Sequence, residues 1–390
     1  MRILHLGKFF PPFSGGVENV MFDLMAAQRK AGHDARAIAH HHRPLAGTSR
    51  DTISGIPVLR VRTLGSLVYA PVSPSFGFHL RSELRSFVPD VVHVHMPNVS
   101  AFWLLLLRHL PRTVLHWHSD VVPSALDRRL ALLYQGYRIF ERRILARADA
   151  VVATSPQYLE HSAPLREFRA KCHVVPLGLD PQRLNAASAD PQAVKALKSG
   201  AHRLILSAGR FTYYKGFEHL IRAARDLPQD VRVVISGAGP LLEQCRRLAA
   251  ELGVADRVSL PGMLPDAELH ALLAQCDVFC LPSVERTEAF GLVLLEAAAL
   301  GRPLVTTDVP GSGMSHANIH GETGLVCQPA DSKALASALR TLMDDPQQAN
   351  IFGNNARQRF QALFTMEAVC DAIVQIYENI PSKSHFSETK

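Results

Sequence analysis

The chain has 390 residues, 47% of them hydrophobic and 20% charged, which is material for two packed domains of ordinary size. Its formal net charge of +7 and pI near 9.2 favour anionic partners such as nucleotides, phosphorylated lipids or acidic membrane surfaces. The sequence has no Lys/Arg block dense enough to suggest nucleic acid, no C-x-x-C pair for a zinc ribbon or redox site, and no apolar run near the roughly 20 residues that span a bilayer.

Residues 2–6 read as a buried strand, and the polar break at Lys8 and Pro11-Pro12 argues against a signal peptide. The loop Gly7 to Gly16 carries Gly15-Gly16. A helix is expected next, with apolar residues at Val17, Val20, Met21, Leu24 and Met25. Strand, glycine loop and helix together set backbone N–H groups against a phosphate, although the spacing is not G-x-G-x-x-G. Further strands are expected at 35–39, 91–94, 113–116 and 150–153, with helical stretches between several of them. That alternation predicts a parallel sheet covered by helices. His40-His41-His42 reads as a solvated strand end, because three consecutive residues cannot all face one ion. His118 and Asp120 follow a strand and are candidate site residues on that ground. Residues 127–148 form one predicted helix. Leu130, Leu133, Tyr137, Phe140, Ile144 and Leu145 make its apolar stripe, and six arginines make it basic. It reads either as a core helix with a solvated basic face or as a helix lying on an anionic membrane.

Residues 181–202, rich in Ala, Ser, Asp and Gln, read as a linker. A strand begins at Arg203 and ends at Gly209-Arg210, with Lys215-Gly216 just before a helix. Both cations can reach a phosphate at that helix start. A second glycine loop, Gly237-Ala-Gly239-Pro240, follows the next strand. The stretch Cys280 to Glu296 then passes from strand to polar loop to helix. It holds Glu288 and Glu296 around Phe290-Gly291-Leu292. Residues 347–380 look helical. The six cysteines (172, 245, 276, 280, 327 and 370) read as free buried thiols in a reducing cytoplasm.

These stretches, in this order, resemble the retaining glycosyltransferases of family 4. The matching features are the Gly15-Gly16 loop, His118, Gly209-Arg210 with Lys215-Gly216, Gly237-x-Gly239, Glu288-x7-Glu296 and Gly321-x-x-Gly324. The resemblance implies the α/β GT-B fold, two Rossmann-like domains with parallel sheets facing a central cleft. An acceptor domain is expected at 1–182, joined by a helix at 365–380, and a donor domain at 200–364. The implied roles place the donor diphosphate on Arg210 and Lys215, with Gly15, Gly16, Gly209, Gly237, Phe290, Gly291 and Leu292 around the donor. Glu288 binds sugar hydroxyls, Glu296 the ribose, and His118 lies against the sugar near the reacting carbon. No metal or cofactor is expected, and no residue is assigned as nucleophile.

The resemblance is to bacterial enzymes that move mannose or a 6-deoxyhexose from a GDP donor. The implied acceptor is a saccharide or a polyprenyl-diphosphate-linked glycan, and the implied location is the cytoplasm or the cytoplasmic face of the inner membrane, with no nucleic acid partner. The loop Pro310 to His316 departs from the family by lacking its glutamate. A sugar-nucleotide epimerase, or a nucleotide-binding protein without activity, are other readings on the same fold.

Overall fold

A computed structural model describes residues 1–13, 15–67, 70–122 and 128–381, with 128–131 as backbone only. The chain forms two compact units. The first is Met1–Gly178 with the chain from Met366 on, and the second is Leu179–Thr365.

In the first unit the strands are β1 (Arg2–Leu6), β2 (Asp34–His40), β3 (Ser49–Ile53), β4 (Ile56–Val61), β5 (Gly65–Leu67), β6 (Ala70–Val72), β7 (Val91–Met96), β8 (Arg112–Trp117), β9 (Ala150–Ala153) and β10 (Cys172–Val174). Among the described residues eight of them make one sheet, in the order β10-β9-β8-β7-β1-β2-β4-β3. It is parallel except at the β3–β4 hairpin on one edge. The hairpin turns on Ser54 and Gly55, both at positive φ (48° and 79°), the geometry of a two-residue turn that matches strand twist. Central strands such as β7 are buried along their whole length, as expected for a parallel sheet covered on both faces. The helix Met366–Asn379 returns to this unit. It buries Met366, Val369, Cys370, Ile373, Ile376 and Tyr377, at helical spacing, in a core with Ile3, Val91 and Val114.

The second unit has β11 (Arg203–Ala208), β12 (Val231–Ser236), β13 (Val258–Gly262), β14 (Val278–Leu281), β15 (Leu304–Thr307) and β16 (Gly324–Cys327). They form a sheet ordered β13-β12-β11-β14-β15-β16, parallel at every pairing. In both sheets chain order reverses at one place, between β1 and β7 in the first and between β11 and β14 in the second. Loops leaving the carboxyl ends of such strands diverge and leave a crevice for a ligand. The glycine loop after β1, the Gly209–Gly216 loop after β11 and the 282–291 loop after β14 all leave from those points.

Several expectations need correction. Residues 181–202 are not simply a linker. They contain the helix Pro191–Lys198, capped by the Asp190 side chain, with Val194 buried. The helical stretch 347–380 is broken at Phe364-Thr365 into Pro346–Leu363 and Met366–Asn379, because the chain changes unit there. His40 is not solvated. It is fully buried, its Nδ1–H donates to the Lys8 carbonyl at 2.7 Å, and Ser100 Oγ donates to its Nε2 at 2.7 Å. The expected helix at 127–148 is observed as Arg128–Arg147, and Asp127 lies outside the described residues. Its expected apolar stripe is split, and the Leu130 side chain lies outside the described residues. Within the stripe Ile144 and Leu145 are fully buried, whereas Leu133 and Phe140 are exposed, as are Leu132 and Ile139 outside it.

Candidate functional site

In the second unit, three loops at the β11/β14 crevice are bound to one another through backbone. Gly209 N donates to Ser236 O at 2.9 Å, and Phe211 N to Ala238 O at 2.9 Å. Such close approach depends on glycine. A Cβ on Gly237 would overlap the Gly209 carbonyl, and one on Gly239 would overlap Phe211 backbone, at φ of 148° and 157°. Gly216 (φ 63°) lies under the Pro282 carbonyl in the same way, and Val284 N donates to Tyr214 O at 2.8 Å. The glycine loop at 237–239 therefore serves first as a brace that sets the backbone from which Arg210 projects. Arg210 itself is exposed.

Lys215 and Glu288 form one ion pair, with Nζ 2.5 Å from Oε2 and each side chain only 10% exposed. Ser283 Oγ adds a hydrogen bond to Oε2 at 3.3 Å. A pair this enclosed is stable only while both partners are present. The sequence assigned Lys215 and Glu288 to different parts of a ligand. The structure joins them as a cation and an acceptor in direct contact. Glu285, three residues away, has another task. Its Oε1 accepts from Tyr213 OH at 3.2 Å and from Thr287 Oγ1 at 2.7 Å, tying the 282–291 loop to the 209–216 loop.

The 310–316 loop, which lacks the family's glutamate, supports Glu288 through its backbone. Ser312 Oγ donates to the Glu288 carbonyl at 2.5 Å and Gly313 N to the Ala289 carbonyl at 2.7 Å. Sequence reasoning missed Ser283 and Ser312, since isolated serines carry no spacing signal.

Gly291, at φ 81°, begins the helix Leu292–Ala299, and Leu292 is half-buried. Free N–H groups at such a helix start suit an anion. Phe290, expected beside the donor, is packed into the unit. The residue is 2% exposed, and its ring packs edge-on to Phe364 at 6.1 Å. Glu296 sits one turn into the helix. Burial pushes its carboxyl up to about 7, the Arg183 charge opposes that rise, and Asp266 adds to it.

In the first unit, Gly15 precedes the helix Gly16–Lys30, with extended backbone. A Cβ on Gly15 would collide with the Glu18 carboxylate. The loop ahead of it is held by Arg60 on β4. That guanidinium is buried, pairs with Asp51 at 2.6 Å and donates to the carbonyls of Phe10 and Pro11.

His118 follows β8 and is 4% exposed. Its Nε2 lies 2.9 Å from His95 Nδ1, its Nδ1 has no partner, and burial lowers its pKa to about 3. Asp120, a candidate by position, is committed to structure. Its Oδ1 accepts from Trp117 Nε1 and from Ser162 Oγ, both at 2.7 Å. All six cysteines are free.

Residues 14–183 match the family model described as Glycosyltransferase Family 4, and residues 190–359 that described as Glycosyl transferases group 1. O-antigen chain mannosyltransferase C of Escherichia coli is 32% identical over 97% of this chain and 99% of its own. D-rhamnosyltransferase WbpZ of Pseudomonas aeruginosa is 34% identical over 94% and 92%. Among solved structures, sucrose-phosphate synthase from Thermosynechococcus elongatus aligns with a TM-score of 0.78 at 24% identity, covering 97% of this chain and 98% of that one. The lipopolysaccharide glycosyltransferase WaaG aligns at 0.68 and 20% identity, covering 97% and 100%. The structural likenesses establish the GT-B fold, with its two parallel-sheet units.

Proposed function

The chain belongs to glycosyltransferase family 4 and is a glycosyltransferase, and from that premise we propose that it moves a hexosyl residue, with retention of configuration, from a nucleoside-diphosphate sugar to a saccharide or polyprenyl-diphosphate-linked acceptor in bacterial surface-polysaccharide assembly. Mannose or a 6-deoxyhexose on GDP is the proposed donor. Support for the sugar comes from the two relatives named for mannosyl and rhamnosyl transfer. The observation that carries the site assignment is the enclosed Lys215–Glu288 pair, at the point where the sheet reverses and beside the exposed Arg210.

In this reading Arg210 and Lys215 take the charge that grows on the diphosphate as the glycosidic bond breaks. Fixed cations and N–H dipoles, here those at Gly291 and Leu292, stabilise such charge without reorganising. Glu288, held by Lys215, accepts hydrogen bonds from the sugar hydroxyls, and Glu296 accepts from the ribose. Glu288 acts neither as nucleophile nor as proton donor, and the leaving phosphate takes the acceptor's proton on the same face. In the first unit the proposed roles are backbone N–H donation to a phosphate by Gly15 and Gly16, and contact of His118 with a sugar hydroxyl. No metal is assigned a part.

The helix Arg128–Arg147 is the proposed contact with an anionic membrane at the cytoplasmic face. Leu132, Leu133, Ile139 and Phe140 are exposed among its arginines, the composition of an interfacial helix.

A thermal-shift panel of UDP, GDP and ADP tests the base, since a ligand that binds only the folded state raises its melting temperature. GDP is expected to give the largest shift. Transfer assays with labelled donors then test the site. Arg210→Ala and Glu288→Ala are each expected to lose at least about a hundredfold in kcat, the scale of removing one electrostatic contact to a transition state. Unchanged transfer by both variants would sink the assignment.

A further inference from the structure

Five histidines crowd one region of the first unit: His5 on β1, His93 and His95 on β7, His116 on β8 and His118 just after it. All are buried. The register sets His5 beside His93 and His95 beside His116, and alternate residues of a strand share a face.

Two strings of hydrogen bonds run through them, and both start at Gln28. A neutral imidazole has one N–H and one lone pair, so each bond dictates the next. The Gln28 carbonyl oxygen accepts from His5 Nε2–H at 2.7 Å. His5 Nδ1 is therefore a lone pair, and it accepts from His95 Nε2–H at 3.0 Å. His95 Nδ1 then accepts from His118 Nε2–H at 2.9 Å. What remains is His118 Nδ1, a bare lone pair, buried and without a partner among the described residues.

The second string has the opposite outcome. The Gln28 amino group donates to Tyr377 OH at 3.2 Å. Tyr377 OH donates to His93 Nδ1 at 2.6 Å, and His93 Nε2–H donates to His116 Nδ1 at 3.2 Å. What remains is His116 Nε2–H, a buried donor without a partner among the described residues. The rings of His116 and His118 are stacked, with centroids 4.1 Å apart.

We propose that Gln28 is a positioning residue: through His5 and His95 it fixes the tautomer of His118, which then offers a ligand hydroxyl an acceptor at Nδ1 next to the donor Nε2–H of His116. The ligand class is a polyol, because a hydroxyl both gives and accepts a hydrogen bond. This rests on the reading above that His118 faces the donor sugar.

Burial supports neutral rings throughout. It lowers His5 to about 4 and His118 to about 3. His93, His95 and His116 are also lowered, by burial and by mutual repulsion. Nδ1 of His118 thus accepts a hydrogen bond without taking the proton. Because each bond of the first string follows from the Gln28 amide, reversing that one group would reverse the string and make His118 Nδ1 a donor.

Three-histidine sets, His5/His93/His95 and His95/His116/His118, each bring ligating atoms within 4.8 Å of one another. In the second set a cation would compete with the hydrogen bonds that already occupy both nitrogens of His95. The hydrogen-bonded reading is therefore the one argued, and metal binding is one result that would overturn it.

The free enzyme, labelled with 15N-histidine, reads the tautomer directly by long-range proton–nitrogen correlation, with His118→Ala identifying the signal. The expected result is His118 protonated at Nε2 and bare at Nδ1 between pH 6 and 8. Gln28→Leu is expected to give mixed tautomers and at least about a tenfold loss of kcat/KM. Gln28→Glu keeps an acceptor for His5 Nε2–H but loses the donor to Tyr377 OH, so it is expected to retain the His118 tautomer while His116 becomes bare at Nε2, which separates the two strings.

A protonated Nδ1 in the wild type would overturn the proposal. So would an Nδ1 signal that EDTA changes, as from a bound metal, or a Gln28→Leu variant that keeps both tautomer and rate. If His118→Ala transfers sugar at full rate, the placement of His118 against the donor fails while the tautomer result stands on its own.

Discussion

At the scale of single residues, the Lys215–Glu288 pair makes the most direct demand. Each charge is enclosed and depends on the other. Lys215→Met leaves a buried carboxylate without its cation, which costs about 3–5 kcal/mol in comparable sites. Thermal unfolding is expected to show that loss. The double variant Lys215→Met/Glu288→Gln removes both charges and is expected to recover most of the melting temperature with none of the activity. Recovery of activity along with stability would mean the pair is only structural.

Glu288 and Glu296 were legible as site candidates because their spacing at a loop-to-helix junction is itself a signal. The partners of Glu288 were not, since Ser283 and Ser312 act through single hydroxyls placed by different loops. His118 was legible by position after its strand. Its string was only half visible. The alternation His93-x-His95 and His116-x-His118 marks two shared strand faces, but Gln28 and Tyr377, joined by a hydrogen bond across 349 positions, leave no local pattern.

At the scale of elements, the 237–239 brace can be weighed against the glycine that ends β13. Gly262 also has positive φ, 87°, but nothing lies within 4 Å of where its Cβ would be. Gly262→Ala should therefore cost about 1–2 kcal/mol, the strain of a left-handed alanine. Gly237→Ala adds a collision with the Gly209 carbonyl. It is expected to cost more than 3 kcal/mol or to prevent folding, on the scale of severe core substitutions. Equal melting temperatures for the two variants would remove the brace from the account of the site.

The helix Arg128–Arg147 is the second test at this scale. Vesicles containing anionic lipid are expected to co-sediment the protein at low salt and release it at high salt, as screened charge requires. Leu132→Ser/Phe140→Ser should weaken binding without altering that salt dependence. Binding indifferent to salt and lipid charge would count against the contact. The β-α alternation of both units was readable from buried runs and glycine loops. The β3–β4 hairpin was not predicted, although Ser54-Gly55 between two isoleucines, Ile53 and Ile56, offers a turn signal.

At the scale of the whole molecule, the two units differ in the number of histidines that burial holds neutral. In the first unit His5, His40 and His118 are lowered to about 4, 4 and 3 from 6.5, and His93, His95 and His116 are lowered as well, all chiefly by burial. A histidine lowered in the folded state stabilises above its unfolded value of 6.5 and loses that contribution as pH falls, up to about 1.4 kcal/mol per group per pH unit. Glu296 in the second unit is raised to about 7 from 4.5. Its contribution is full below 4.5 and is lost as pH rises through 7. Glu141 in the first unit is also raised to about 7 by burial, one group against six histidines, while in the second unit burial lowers His316 to about 4 and lowers His270 as well, two histidines against the six.

Acid is therefore expected to loosen the first unit before the second. Hydrogen exchange at about pH 5.5, corrected for intrinsic rates, should show protection lost in β1, β7 and β8 while β11 and β14 keep theirs. Loss in the second unit first would contradict this balance of groups.

The helix Met366–Asn379 also bears on how the protein is made. It belongs to the first unit, yet the whole second unit is synthesised before it. While residues 179–365 leave the ribosome, the sheet formed by the first 178 residues still lacks the cover that Val369, Ile373 and Tyr377 supply over Ile3, Val91 and Val114. Domains generally fold as they emerge, so the second unit can finish while the first waits with apolar surface open. That interval is where a chaperone would be needed. A chain halted before residue 366 should carry a folded second unit and a first unit that aggregates.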